Sequence, residues 1–150
     1  MHNANLAMLI ELAVTSRDAA AARRAQAATS LAQAQAQFEL LRGYARDYER
    51  RAQTTLTQGI DMAAQNNLRA FAAKLQQAID AQRLEVQRRS DALAAADEEL
   101  RQAHKRVKSM QALAERRLAD ARQALARNEQ KTQDELAQSD RERPLAASKW

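Results

Sequence analysis

The chain has 150 residues, of which 36 are Ala and 17 Gln, while only Phe38, Tyr44, Tyr48, Phe71 and Trp150 are aromatic. Two glycines and one proline cannot furnish the closely spaced turns of a sheet domain, and so few bulky side chains exclude a large globular core, which leaves long helix as the default. The net charge of +5 comes from 24 basic and 19 acidic residues interleaved along the chain, which marks no cationic face for nucleic acid, and zero cysteines exclude disulfide and thiol chemistry and fit a reducing compartment.

The most apolar run, Leu6 to Val14, is nine residues long and is broken by Glu11. A spanning helix needs about 20 apolar residues, and a signal peptide wants a basic start and a cleavage site. Neither membrane insertion nor a cleaved secretion signal is therefore expected. Continuous helix-forming sequence predicts a first helix over about 4–57 and a second over about 62–143, joined by a turn at about 58–61. Gly59 can adopt the left-handed conformation that ends a helix, and Asp61 can cap the next one. Thr54, Thr55 and Thr57 are poor helix-interior residues, so the first helix is expected to fray there. Asn66 and Asn67 mark a second candidate irregularity. Pro144 stops the second helix and leaves 144–150 as a loose tail.

At 1.5 Å per residue these helices would be about 80 Å and about 120 Å long, lengths typical of coiled coils. Ile79, Val86, Leu93, Leu100, Val107, Ala114 and Ala121 recur every seven residues, an a-type series. Softer d-type positions are Gln82, Arg89, Ala96, Ala103 and Met110. Beyond Met110 the apolar spacing shifts to Ala114, Leu118, Ala121 and Leu125. In the first helix Leu31, Ala34, Phe38, Leu41, Ala45, Tyr48 and Ala52 follow the same alternation of three and four. Further back the seam falls on Arg17, Ala20, Arg24 and Ala27, a thin stretch. The expected fold is all-α, a single long two-helix antiparallel coiled-coil hairpin over 1–143, an extended rod. With a turn near Gln58 to Ile60, facing residues have numbers adding to about 119, so Asn5 lies level with Ala114 and residues 115–143 overhang.

Four of the five aromatics lie between Phe38 and Phe71. Gln37, Leu41, Tyr44 and Tyr48 form one helical stripe, and Phe71, Leu75, Ala78 and Gln82 form another at matching levels. Leu41, Tyr48, Leu75 and Gln82 also belong to the seam, so spacing by itself allows the stripes to be core. Tyr44 lies off the seam, and a large amphipathic ring outside a core is an interface residue type.

The stretch AQAQFELLRGYARDYERR, the turn TQGI and the segment FAAKLQQAIDAQRLEV resemble the FliJ family, the coiled-coil component of the bacterial flagellar type III export apparatus. The likeness extends from Leu12-Ala13 and Ala20 near the start to RNEQKTQDELA near the end, and its specific part is Leu41, Tyr44 and Tyr48 before Gly59, then Phe71, Leu75 and Ile79. The resemblance implies a non-enzymatic stalk in the pore of the hexameric export ATPase FliI, a second partner in the membrane export-gate protein FlhA, and binding of export chaperones. It also implies a cytoplasmic position, peripheral at the inner membrane of the flagellar base, with membrane contact only indirect. The family's gate-binding patch maps onto Gln37, Leu41, Tyr44, Tyr48, Phe71, Leu75, Ala78 and Gln82. At the last of these a relative carries His, for which the Gln82 amide keeps the hydrogen bonding without the titration. A ring pore would meet a rod end through Leu6, Leu9, Ile10 and Leu12 and through Arg116, Arg117, Arg122 and Arg127, each of which also reads as ordinary seam or solvated face.

No catalytic arrangement is present: there is no GxxxxGK[ST] or GxGxxG loop, and His2 and His104 are 102 residues apart. Asp97-Glu98-Glu99 reads as a solvated cluster near Lys105 and Arg106 rather than a metal site. No enzyme activity, cofactor, metal or nucleic-acid partner is expected. Two alternatives stay open, the equivalent stalk of a virulence injectisome and a generic coiled coil binding nucleic acid or a membrane surface through its charge.

Overall fold

A computed structural model describes residues 2–59 and 61–143. They form two helices, α1 (His2–Thr57) and α2 (Met62–Glu142), with no strand among the described residues. The fold is an all-α helical hairpin. The expected tail at 144–150, the stop at Pro144 and the turn residue Ile60 lie outside the described residues.

The turn is built as its residues dictate. Gly59 has φ of 72°, a left-handed conformation that glycine adopts far more readily than residues with a side chain. The Gln65 amide donates to the Asp61 carbonyl at 3.2 Å, which makes Asp61 the cap residue of α2. The expected fraying at Thr54–Thr57 does not occur, because α1 continues through Thr57. The Thr54 hydroxyl donates to the Arg50 carbonyl at 3.0 Å, the Thr55 hydroxyl to that of Arg51, and the Thr57 hydroxyl to that of Thr54 at 2.7 Å. Back-bonding of this kind accommodates threonine within a helix. Asn66 and Asn67 likewise lie in uninterrupted helix.

The chain divides into two compact units, Ala13–Lys105 and Met1–Leu12 with Arg106–Trp150. In the first unit the heptad seam is the inward face. Ala20, Ala34, Leu75, Ile79, Ala96 and Ala103 are buried, and Leu31, Phe38, Leu41, Ala45, Tyr48, Ala52, Val86 and Leu93 are half-buried. Ala at these positions lets the helices approach closely but buries little apolar area, so long polar side chains supplement the seam. The Gln82 side-chain amide donates to the Ala34 carbonyl at 3.0 Å. Arg89 Nη1 donates to the Ser30 carbonyl at 2.9 Å while its Nε donates to Glu85 at 3.0 Å. Arg24, placed on the seam by spacing, is instead exposed and pairs with Asp97 at 2.7 Å, beside an Arg23–Glu99 pair at 3.3 Å.

In the second unit Leu6 and Val107 are buried. Every described residue from Glu115 to Arg143 is exposed. The apolar spacing of Leu118, Ala121 and Leu125 therefore covers nothing, and Leu118 and Leu125 stand 54% and 62% exposed.

Candidate functional site

The surface that can carry chemistry lies at the turn-proximal end of the Ala13–Lys105 unit. The two predicted stripes do meet. Tyr48 and Phe71 stack with ring centroids 4.2 Å apart and planes at 22°, an aromatic contact across the hairpin. That pair satisfies the register of about 119 expected from the turn. Tyr44, one turn before Tyr48 on α1, is 51% exposed, and Phe71 is 43% exposed despite its stack. A large apolar surface is thus left open where the seam ends.

The eight patch residues divide into two kinds. Gln37, Tyr44, Phe71 and Ala78 are exposed, whereas Leu41, Tyr48 and Gln82 are half-buried and Leu75 is buried. Leu75 therefore supports the patch from beneath. The Gln82 amide is committed to the Ala34 carbonyl, so only the rest of that side chain faces outward. Core and patch are not exclusive readings of these stripes, because the seam edge supplies both. Spacing did not single out Leu40, which stands 54% exposed, because it lies off both apolar alternations.

Of the residues considered for a ring pore, Leu6 is buried, while Leu9 and Leu12 are 48% and 60% exposed. Ile10 is half-buried, and Arg116, Arg117, Arg122 and Arg127 are exposed. Those arginines lie on the uncovered stretch of α2.

In the acidic cluster Lys105 does act on Glu98, and the cluster has further partners. Asp97 and Glu99 pair with Arg24 and Arg23 across the hairpin. Glu98 accepts from Gln102 at 2.9 Å and pairs with Arg101. The Gln102 hydrogen bond first, then the Arg101 charge, holds the Glu98 carboxyl below its ordinary value. Glu85 is lowered in the same direction, chiefly by the hydrogen bond from Arg89 against a partial opposing effect of desolvation. Both are tied to structural ion pairs along α2 and neither faces a catalytic neighbour. His104 is exposed. No group of three or more potential metal ligands occurs among the described residues. Among the described residues no helix is long and apolar enough to cross a membrane.

The arrangement comprises an exposed aromatic patch on a helical hairpin and a stretch of helix whose described residues are all exposed. Neither a curated protein nor a solved structure matches the chain. The model of the flagellar FliJ protein family, however, matches residues 1–144, nearly the whole of a chain with this hairpin and this aromatic pair, and the protein belongs to that family.

Proposed function

We propose that this flagellar export-related protein is a non-enzymatic stalk and adaptor. It inserts its uncovered α2 segment into the ring of the hexameric export ATPase FliI, promotes assembly and activity of that ring, and couples it to the export gate FlhA. The observation that carries the reading is the exposure of every described residue from Glu115 to Arg143. A helix with 28 such residues in sequence, Glu115–Glu142, gains little by remaining bare, since tertiary packing supplies most helical stability. Arg116, Arg117 and Arg122 on that segment, with Leu9 and Leu12, are the proposed ring contacts. Exposed Tyr44 and Phe71, with Gln37, Leu41, Tyr48, Leu75, Ala78 and Gln82, support a gate contact of the buried-aromatic kind. Escort of export chaperones, and a peripheral position at the cytoplasmic face of the flagellar base, complete the proposal.

The test is ATP turnover by the purified export ATPase with and without this protein at one copy per hexamer. Stimulation together with ring formation is expected. Unchanged turnover and no ring, with both proteins folded, would overturn the stalk reading.

A further inference from the structure

At the turn-proximal end of the Ala13–Lys105 unit the α1 side of the seam is small on either side of Tyr48, at Ala45 and Ala52. Between the helices lies an open groove of about 440 Å3, floored by half-buried Ala45, Ala52 and Leu68 and buried Leu75, with exposed Leu56, Arg69 and Ala72 at its margin. It opens on the side away from Tyr44. Tyr44 and the groove-lining Glu49 are separated by about 140° around a helix of 3.6 residues per turn, and Phe71 and Arg69 by about 160°. Tyr48 and Leu75 form the divide between the two sides. Toward the far end Phe38 is held against the guanidinium groups of Arg42 and Arg83, each 5.7 Å from its ring centre.

Shape and charge together select an occupant. From Ala45 to Leu56 the groove runs about 17 Å, or three helical turns. The host backbones are hydrogen-bonded within their own helices, so a strand finds no edge to extend. Methyl-floored positions instead accept bulky apolar knobs from a third helix. Within Ala13–Lys105, Arg17, Arg23, Arg24, Arg42, Arg83, Arg88, Arg89 and Arg101 each hold a carboxylate. Lys105 acts on Glu98. The cations of that unit with no carboxylate partner are Arg46, Arg50, Arg51, Arg69 and Lys74, all around this end. They outnumber Asp47, Glu49 and Asp61 of the same stretch, which are also without ion pairs.

We propose that this groove docks an amphipathic helix of another protein. Its Leu- or Ile-sized residues enter beside Ala45, Ala52 and Ala72, and its Asp and Glu flanks meet Arg46 and Arg69. The result is a local three-helix bundle that leaves the Tyr44 side free; it shares Tyr48 and Leu75 with the gate patch, so Tyr44 and Arg69 are the positions that tell the two contacts apart.

The test uses the full chain and an end-blocked, fluorescein-labelled peptide of about three heptads, with Leu and Ile at a and d and Glu at e and g. The glutamates keep the free peptide from pairing with itself. Fluorescence anisotropy should show saturable binding, weakened about tenfold or more, or roughly 1.4 kcal/mol, by Ala52→Glu and by Arg69→Glu. Tyr44→Ala should leave it within about twofold. The same peptide with Lys in place of Glu should bind at least about tenfold more weakly. Circular dichroism checks that each variant stays helical, and exposed Arg69 provides the decisive variant if Ala52→Glu does not fold. The proposal is overturned by no saturable binding to about 100 μM peptide, by equal binding of the Lys peptide, or by binding indifferent to Arg69→Glu.

Discussion

Tyr48 on α1 and Phe71 on α2 stack at 4.2 Å, and the contact joins the two helices at the level where the seam turns to alanine. A ring pair of this kind contributes about 0.5–1.5 kcal/mol beyond its area. In urea unfolding followed by circular dichroism, a double-mutant cycle of Tyr48→Ala and Phe71→Ala should return a coupling energy in that range. Helix content at zero urea should be unchanged in all three variants. Additive losses would mean that the stack is incidental.

Tyr44 touches no aromatic partner and is half exposed. Tyr44→Ala should therefore leave the unfolding midpoint within about 0.5 kcal/mol of the parent while weakening binding to the cytoplasmic part of the export gate. The Tyr48→Ala, Phe71→Ala double variant should weaken it further. Unaltered gate affinity in both, measured by calorimetry, would remove the patch from the gate contact.

Arg89 bridges the helices, with Nη1 on the Ser30 carbonyl and Nε on Glu85. Its removal leaves a half-buried carbonyl without that donor, and Arg89→Ala should cost about 1–2 kcal/mol in urea unfolding. Arg88→Ala, whose side chain is 76% exposed and pairs with Glu85 on the same helix, should cost much less. Equal losses would show that Arg89 acts only within α2.

Glu85 and Glu98 both have carboxyls held below the ordinary value in the folded chain. Folding therefore favours their ionised forms. Their stabilisation is complete above the ordinary glutamate range and is lost as pH falls through the lowered values. The melting temperature should be level between about pH 7 and pH 5 and decline below about pH 4. The Glu85→Gln, Glu98→Gln double variant should start lower at neutral pH and decline less on acidification. Parallel curves for parent and variant would place the acid sensitivity elsewhere.

Gly59 carries φ of 72°, and the space that a Cβ would occupy there is open. The penalty for a side chain is then conformational rather than steric. Gly59→Ala should lower stability by about 1 kcal/mol, and Gly59→Asn by less, as urea midpoints would show.

Backbone periodicity made much of this fold legible. A helix repeats its faces every 3.6 residues whatever surrounds it, so Ala34, Ile79, Ala96 and Ala103 could be placed inward from spacing, and Gly59 could be placed at the reversal. Once the turn was located, counting away from it brought Tyr48 level with Phe71. The same period distinguished Tyr44 from the seam. The exposure of Glu115–Arg143 followed from the unequal lengths on either side of the turn.

What only the tertiary structure decided are the partners of long or small side chains. Arg23 and Arg24 reach Glu99 and Asp97 because the helices approach closely along an alanine-rich seam, and a side chain with four or five rotatable bonds can satisfy several partners from one backbone position. Gln82 and Arg89 find the carbonyls of Ala34 and Ser30 for the same reason. Thr54, Thr55 and Thr57 remain helical because each hydroxyl finds a carbonyl one turn back, a choice that propensity averages away. Spacing puts Ala45 and Ala52 on the seam but does not reveal that a groove opens beside them, and Ala72 reads as an ordinary helix former. Composition and period determine helices, faces and reversal through local backbone geometry. A groove, an ion pair or a covered methyl exists only once the distance between two helices is set, and packing sets that distance.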